Sequence, residues 1–150
     1  MSYKMMVKLD EGAKMPTRAH ILDAGLDLYS REELTIPPRT EMIVENSATF
    51  DTGVHILLPP WHYGKIEGKS GLMVNHNVCS LGGVIDENYT GSIRVKLFNM
   101  GIAPYTVRKG DKIAQLIVQV YTMPEAFGVE IVDEMPETER GDRGFGSSGR

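Results

Sequence analysis

The sequence predicts an all-β domain, a sandwich or barrel with one short helix. Three observations predict it. About ten short apolar runs, many alternating with polar residues, are bounded by Gly, Pro, Asp or Asn. Sixteen glycines and eight prolines punctuate the 150 residues. No segment sustains the 3.6-residue apolar period of a packed helix.

In chain order the predicted strands are MMVKL, GLDLYS, ELTIP, EMIVE, GVHILLP, YGKIEG, GGVID, SIRVKLFN, IAQLIVQVY and GVEIVDEM. In GLDLYS, Asp27 lies between Leu26 and Leu28, so its carboxylate points away from the leucines' face. The stretch SGLMVNHN, residues 70–77, is the best helix candidate, barely two turns, with Ser70 as N-cap. A helix start offers free N–H groups that suit anions. SIRVKLFN alternates cleanly, with Ile93, Val95 and Leu97 on one face and Arg94, Lys96 and Phe98 on the other. IAQLIVQVY is apolar on both faces apart from Gln115 and Gln119, so a second sheet or a neighbouring subunit must cover the extra face. From Thr138 the sequence TERGDRGFGSSGR holds four Gly, two Ser and three Arg with one apolar residue, Phe145. It cannot join a packed core, which divides the chain into a β domain over 1–137 and a flexible arm over 138–150.

A formal charge of -4 argues against nonspecific binding to nucleic acid or an anionic membrane. Any polyanionic ligand therefore needs local positive charge or a metal. The lone Cys79 excludes an intrachain disulfide and suits a reducing cytoplasm, and no uncharged run approaches the ~20 residues of a membrane span. His20, His55, His62 and His76 have no His or Cys partner at zinc-ligand spacing, and Cys79 reads as a small buried hydrophobe. Neither a dinucleotide fingerprint nor a P-loop is present.

Five short stretches remain: DAGLDLYS (23–30), GKSGL (68–72), GGVIDENYTG (82–91), GDKIAQ (110–115) and the arginine- and glycine-rich tail. GGVIDENYTG ends an apolar run on Asp86, with Tyr89 three residues on. It reads either as an ordinary hairpin turn or as a general base beside an aromatic wall. In the tail, Arg140, Arg143 and Phe145 supply guanidinium donors and a stacking surface, and the glycines supply backbone N–H groups, a combination suited to a clasp over a nucleotide.

In this order and spacing, from about residue 23 to the end, the five stretches resemble the motifs of the trimeric dUTP diphosphatases (dUTPases). GVIDENY and RGDRGFGSSG are the most specific pieces. The resemblance implies a distorted jelly roll, or β-clip, assembling as a homotrimer whose active sites draw on all three subunits. It implies Mg²⁺-assisted hydrolysis of dUTP to dUMP and pyrophosphate, which limits uracil incorporation into DNA and supplies dUMP for thymidylate synthesis. Asp86 resembles the carboxylate that orients and deprotonates water, and Tyr89 the gate against a 2′-hydroxyl. Ser80 through Ile85, including Gly83 and Val84, is similar to the hairpin whose backbone reads uracil, with Arg94 bordering that pocket. Lys69, Ser70, Gly71 and Gln115 fall on phosphate-binding positions, and Asp27 on a Mg²⁺ ligand acting through water. Arg140 matches a γ-phosphate contact, Phe145 a ring that stacks on uracil, and Gly146, Ser147 and Ser148 donors to the terminal phosphates.

Two positions depart from the family pattern. Lys69 stands where Arg is usual, giving a point charge in place of a bidentate fork. Arg143 stands where Gly is frequent, and is read either as a second phosphate contact or as a solvated side chain. A dCTP deaminase of the same fold is the enzymatic alternative, opposed by RGFGSSG and by the Tyr following Asp86. A regulatory binding module is the nonenzymatic one.

Overall fold

The described residues form two four-stranded antiparallel sheets and a two-stranded ribbon. These features come from a computed structural model that describes residues 4–40, 45–81, 83–139 and 141. The elements are β1 (Met6–Leu9), β2 (Leu26–Tyr29), β3 (Leu34–Ile36), β4 (Ser47–Leu57), β5 (His62–Glu67), α1 (Ser70–His76), β6 (Val78–Ser80), β7 (Val84–Ile85), β8 (Ser92–Asn99), β9 (Tyr105–Val107) and β10 (Lys112–Val120). A 3-10 turn follows at Pro124–Ala126. One sheet runs β1-β4-β8-β6, the other β2-β10-β5-β7, and β3 pairs with β9.

The alternation in β8 works as predicted: Ile93, Val95 and Leu97 are buried while Arg94 and Lys96 face solvent. They pack with Leu28, Phe50, Ile113 and Leu116 into one core between the sheets. Each such side chain contributes roughly 1.5–3 kcal/mol through removal from water. On β10, burial is complete only in the first half; Val120 at the far end is 69% exposed. The described residues therefore cover only part of this two-faced strand.

Three sequence expectations change. The N-cap of α1 is Lys69 in an extended conformation, with no side-chain cap, so Ser70 is the first helical residue; Asn77 ends the helix in the left-handed region. GVEIVDEM is not a strand: Val129, Ile131 and Met135 are exposed, and no described strand pairs with it. Its alternation signals a strand, but a strand needs a sheet edge beside it, and the described residues pair none with it. The strand starting at Ser47 is longer than GVHILLP because Gly53, at φ 65, forms an irregularity in the middle of one continuous strand. The three-residue β6 and β9 are too short to show a period. Most of EMIVE, residues 41–44, lies outside the described residues.

Candidate active site

The site residues separate to the two ends of β5. At the C-terminal end, β2, β10 and β5 run side by side, with Asp27 opposite Gln115 and Gln115 opposite Glu67. Where β5 ends the chain turns through Gly68 and Lys69 into α1. The Gln115 Nε2 donates to the Gly68 carbonyl at 3.0 Å, which fixes that turn to β10. The Lys69 ammonium reaches back to Asp27 Oδ1 at 2.6 Å. Lys112 takes the other oxygen, Oδ2, at 2.7 Å. A register shift between Lys112 and Ala114 breaks the alternation that would otherwise put Lys112 on the face opposite Gln115.

Asp27 is 3% exposed. Burial pushes its carboxyl upward, but the hydrogen bonds and charges of Lys112 and Lys69 outweigh that and hold it below its ordinary value. Both lysine heads keep access to solvent. A buried anion thus presents two cations at the mouth of a helix start, and Ser70 and Gly71 are exposed beside them. This arrangement suits a phosphate chain. It does not fit a directly coordinated divalent ion, because the one carboxylate already holds an ammonium on each oxygen, and among the described residues no cluster of three metal-ligating side chains exists.

β7 lies along the middle of β5 and leads the chain toward the Tyr63 end. Gly64 and Lys65 pair with Ile85 and Val84, and Ile66 N–H donates to the Gly83 carbonyl. Gly83 has φ 124, and a Cβ there would lie 2.6 Å from the Cβ of Ile66. Only glycine lets the backbone come this close. Ile85 is buried and Val84 is 66% exposed. The next residue, Asp86, is exposed, and its carbonyl accepts from the Tyr89 N–H, closing the turn. The Tyr89 hydroxyl donates to the Ser92 carbonyl at 3.2 Å. Ser80, on β6, pairs with Leu97 of β8, and its buried hydroxyl has no hydrogen-bond partner among the described residues.

Sequence reasoning passed over Lys112, hidden by its bulge, and Glu87. The Glu87 carboxylate accepts from Trp61 N–H at 2.8 Å and from the Tyr121 hydroxyl at 2.7 Å, anchoring the turn beside Asp86. Trp61 carries a φ of 65, and this bond supports that unusual backbone. Arg94, on β8, is opposite Asp51 in register and shares a cleft with Glu32, Thr49 and Asp51. Gly82, Arg140, Arg143, Phe145, Gly146, Ser147 and Ser148 lie outside the described residues.

A family model described as dUTPase matches residues 11–149. The chain belongs to the dUTPase family. Among curated relatives, the human mitochondrial deoxyuridine 5'-triphosphate nucleotidohydrolase is 43% identical over 143 residues, covering 95% of this chain and 53% of that protein. The chain thus spans about half the length of that relative. The mouse enzyme of the same name is 42% identical, with 96% of this chain and 83% of that protein covered. Among solved structures, the dUTPase of Staphylococcus bacteriophage 80alpha with dUpNHpp superposes with a TM-score of 0.85 at 26% identity, covering 99% of this chain and 100% of that one. A variant of the dUTPase from phage phi11 of S. aureus, described with a structural Mg(II) ion, gives 0.75 at 25%, over 87% and 97%. The jelly-roll-like layering, mostly strands with one short helix, is that of these dUTPases.

Proposed function

We propose that this dUTPase-family chain hydrolyses dUTP to dUMP and pyrophosphate in active sites shared between copies of itself. The observation that carries this reading is the separation along β5. Asp86 lies one step past the Gly64–Ile85 pair, toward Tyr63. Lys69 follows the opposite end of the strand. At about 3.3 Å per residue, the stretch from Tyr63 to Lys69 extends on the order of 20 Å, too far for one triphosphate-bound water to meet both groups in the same chain. A second copy that places its Asp86 turn over this chain's Asp27–Lys69–Gln115 end completes the set. The half-covered β10 and the exposed Val129, Ile131 and Met135 support such a neighbour, and a homotrimer is the assembly proposed.

In that site Lys69, Lys112, the Ser70 hydroxyl and the free N–H groups at the start of α1 hold the phosphates, with Gln115 keeping the turn in place. The hairpin backbone around Gly83, with Ser80 and Val84, reads the uracil edge, where unpaired donors and acceptors reject cytosine. The Tyr89 ring blocks a 2′-hydroxyl. Asp86 takes the proton from water as it attacks a phosphorus, and the bond between the α- and β-phosphates breaks, leaving dUMP and pyrophosphate. Asp27 would hold Mg²⁺ through water, and the ion would supply charge neutralisation to the triphosphate. The arm from residue 138, with Arg140, Phe145, Gly146, Ser147 and Ser148, closes over the nucleotide as a unit separate from the domain over 1–137. Cytoplasmic residence is supported by the free thiol of Cys79; the described residues contain no helix long and apolar enough to cross a membrane.

Two measurements test this. Pyrophosphate release should be seen with dUTP and be far weaker with dCTP, dTTP and UTP; ammonia release from dCTP would point to the deaminase instead. Mixing inactive Asp86→Asn and inactive Lys69→Ala homomers, then allowing exchange, should restore part of the activity, because some sites then receive an intact Asp86 from one chain and an intact Lys69 from another. No recovery in exchanged mixtures would overturn the shared site.

A further inference from the structure

Residues 86–91 connect β7 to β8, two strands that belong to different sheets, and within the turn the Tyr89 N–H donates to the Asp86 carbonyl. Side chains from β4 hold its exit. The Ser92 hydroxyl bonds Asp51, which is also paired with Arg31. His55 lies directly opposite Ser92 in the β4–β8 register, just past the irregularity at Gly53. Its Nδ1 is 2.8 Å from the Thr90 carbonyl and its Nε2 is 3.2 Å from Asp10 Oδ2. A carbonyl oxygen only accepts, so Nδ1 carries a proton; a carboxylate only accepts, so Nε2 carries one as well. Both bonds are made together only by the imidazolium.

We propose that His55, as an imidazolium bridging Asp10 and the Thr90 carbonyl, is a positioning residue for Tyr89 and makes discrimination against ribonucleotides dependent on pH. This rests on the reading of Tyr89 as the sugar gate. Thr90 follows Tyr89 directly, and the Tyr89 hydroxyl is itself tied to Ser92, so the tether at Thr90 fixes the segment from which the ring projects. Loss of one proton leaves a single donor, which the anionic Asp10 holds on Nε2, so the Thr90 carbonyl loses its bond; Tyr89, whose ring lies against Gly91, is 44% exposed.

The charged groups facing His55 come from three directions. Lys8 on β1 is opposite it in register. Asp10 follows β1 and faces Lys8 at 3.9 Å and Arg31 at 3.5 Å. Arg31 and Asp51 pair beneath the exit of the turn. The Thr90 carbonyl and then Asp10 raise the imidazole above its ordinary 6.5, against smaller opposition from burial and Lys8. The sign follows: the bridge is fully present below 6.5 and is lost as pH rises through the higher folded value.

The test compares kcat/KM for dUTP and UTP from pH 5.5 to 9 in the wild-type protein and in His55→Gln, His55→Ala, Asp10→Asn and Tyr89→Ala variants, with the His55 ring titration followed by NMR. The wild-type dUTP/UTP ratio should fall about tenfold as His55 deprotonates, the scale of one charge-assisted hydrogen bond. His55→Ala should show the lower ratio at every pH. His55→Gln keeps a neutral donor for Thr90 and should restore most of the ratio without pH dependence. Asp10→Asn should shift both the ring titration and the fall in the ratio to lower pH. A ratio that is lost in Tyr89→Ala but stays at the wild-type level across pH in His55→Ala overturns the role of His55 alone. An unchanged ratio in Tyr89→Ala overturns the gate reading, and with it this inference.

Discussion

The two ends of β5 are built on opposite principles. The Lys69 end is wired by side chains: a buried carboxylate, two ammonium groups and a glutamine cross-link β2, β10 and the start of α1. The Asp86 end is a backbone device, a two-residue strand pressed against β5 through a glycine, with the Asp86 carboxylate left exposed. A phosphate chain needs fixed charge, which a sheet interior supplies at the cost of a buried anion. A base that must meet water needs an exposed carboxylate whose direction is set by the chain. The difference teaches that fixed charge is preformed within the chain while the Asp86 carboxylate is presented outward, which is what the proposed shared site requires of each end.

The largest effect tests the outward end. Asp86→Asn should lower turnover on the order of 10³-fold while a nonhydrolysable dUTP analogue still binds, as calorimetry and pyrophosphate release together would register. Retained turnover would remove the base from this end altogether. Gly83→Ala should come next: positive φ and the collision with Ile66 together cost about 2–4 kcal/mol, seen as a lowered midpoint in denaturant and weakened nucleotide binding. If the hairpin absorbs that methyl without loss, it is not the rigid backbone that the proposed uracil reading requires.

At the wired end, Asp27→Asn leaves two lysines facing each other without their anion and should cost roughly 1–3 kcal/mol, discounted because both heads reach solvent. The carboxylate's folded-state value lies below its ordinary 3.8, so its contribution is present above 3.8 and vanishes as pH falls through the lower folded value. Acid denaturation of the variant should accordingly be less steep below pH 4 than that of the wild type. The smallest effect belongs to Lys69→Arg. A planar fork in place of a point charge should change KM for dUTP by less than about fivefold with kcat held. A large change would mean that the lysine, not merely its charge, organises this end.

Much of this was legible in one dimension. The period of two in SIRVKLFN fixed which face of β8 is buried, and Asp27 between two leucines was read as set apart from their face. The asymmetric burial of β10 matches an apolar pattern too rich for one sheet face. GVEIVDEM shows the limit: its alternation is real, but pairing depends on an edge that the pattern does not contain. Lys112 and His55 show another. One joins Asp27 only because a bulge turns it, and the other meets Thr90 only because β4 and β8 come into register after Gly53.

By itself the sequence determined the strand-rich class, the order of the five motifs and the chemical type of each site residue, since these depend on side-chain identity and near-neighbour spacing. Tertiary structure decided that Asp27, Lys69 and Gln115 meet while Asp86 stands at the far end of β5. Antiparallel pairing alone sets which distant residues lie side by side, and it opposes the direction of one strand to that of the next.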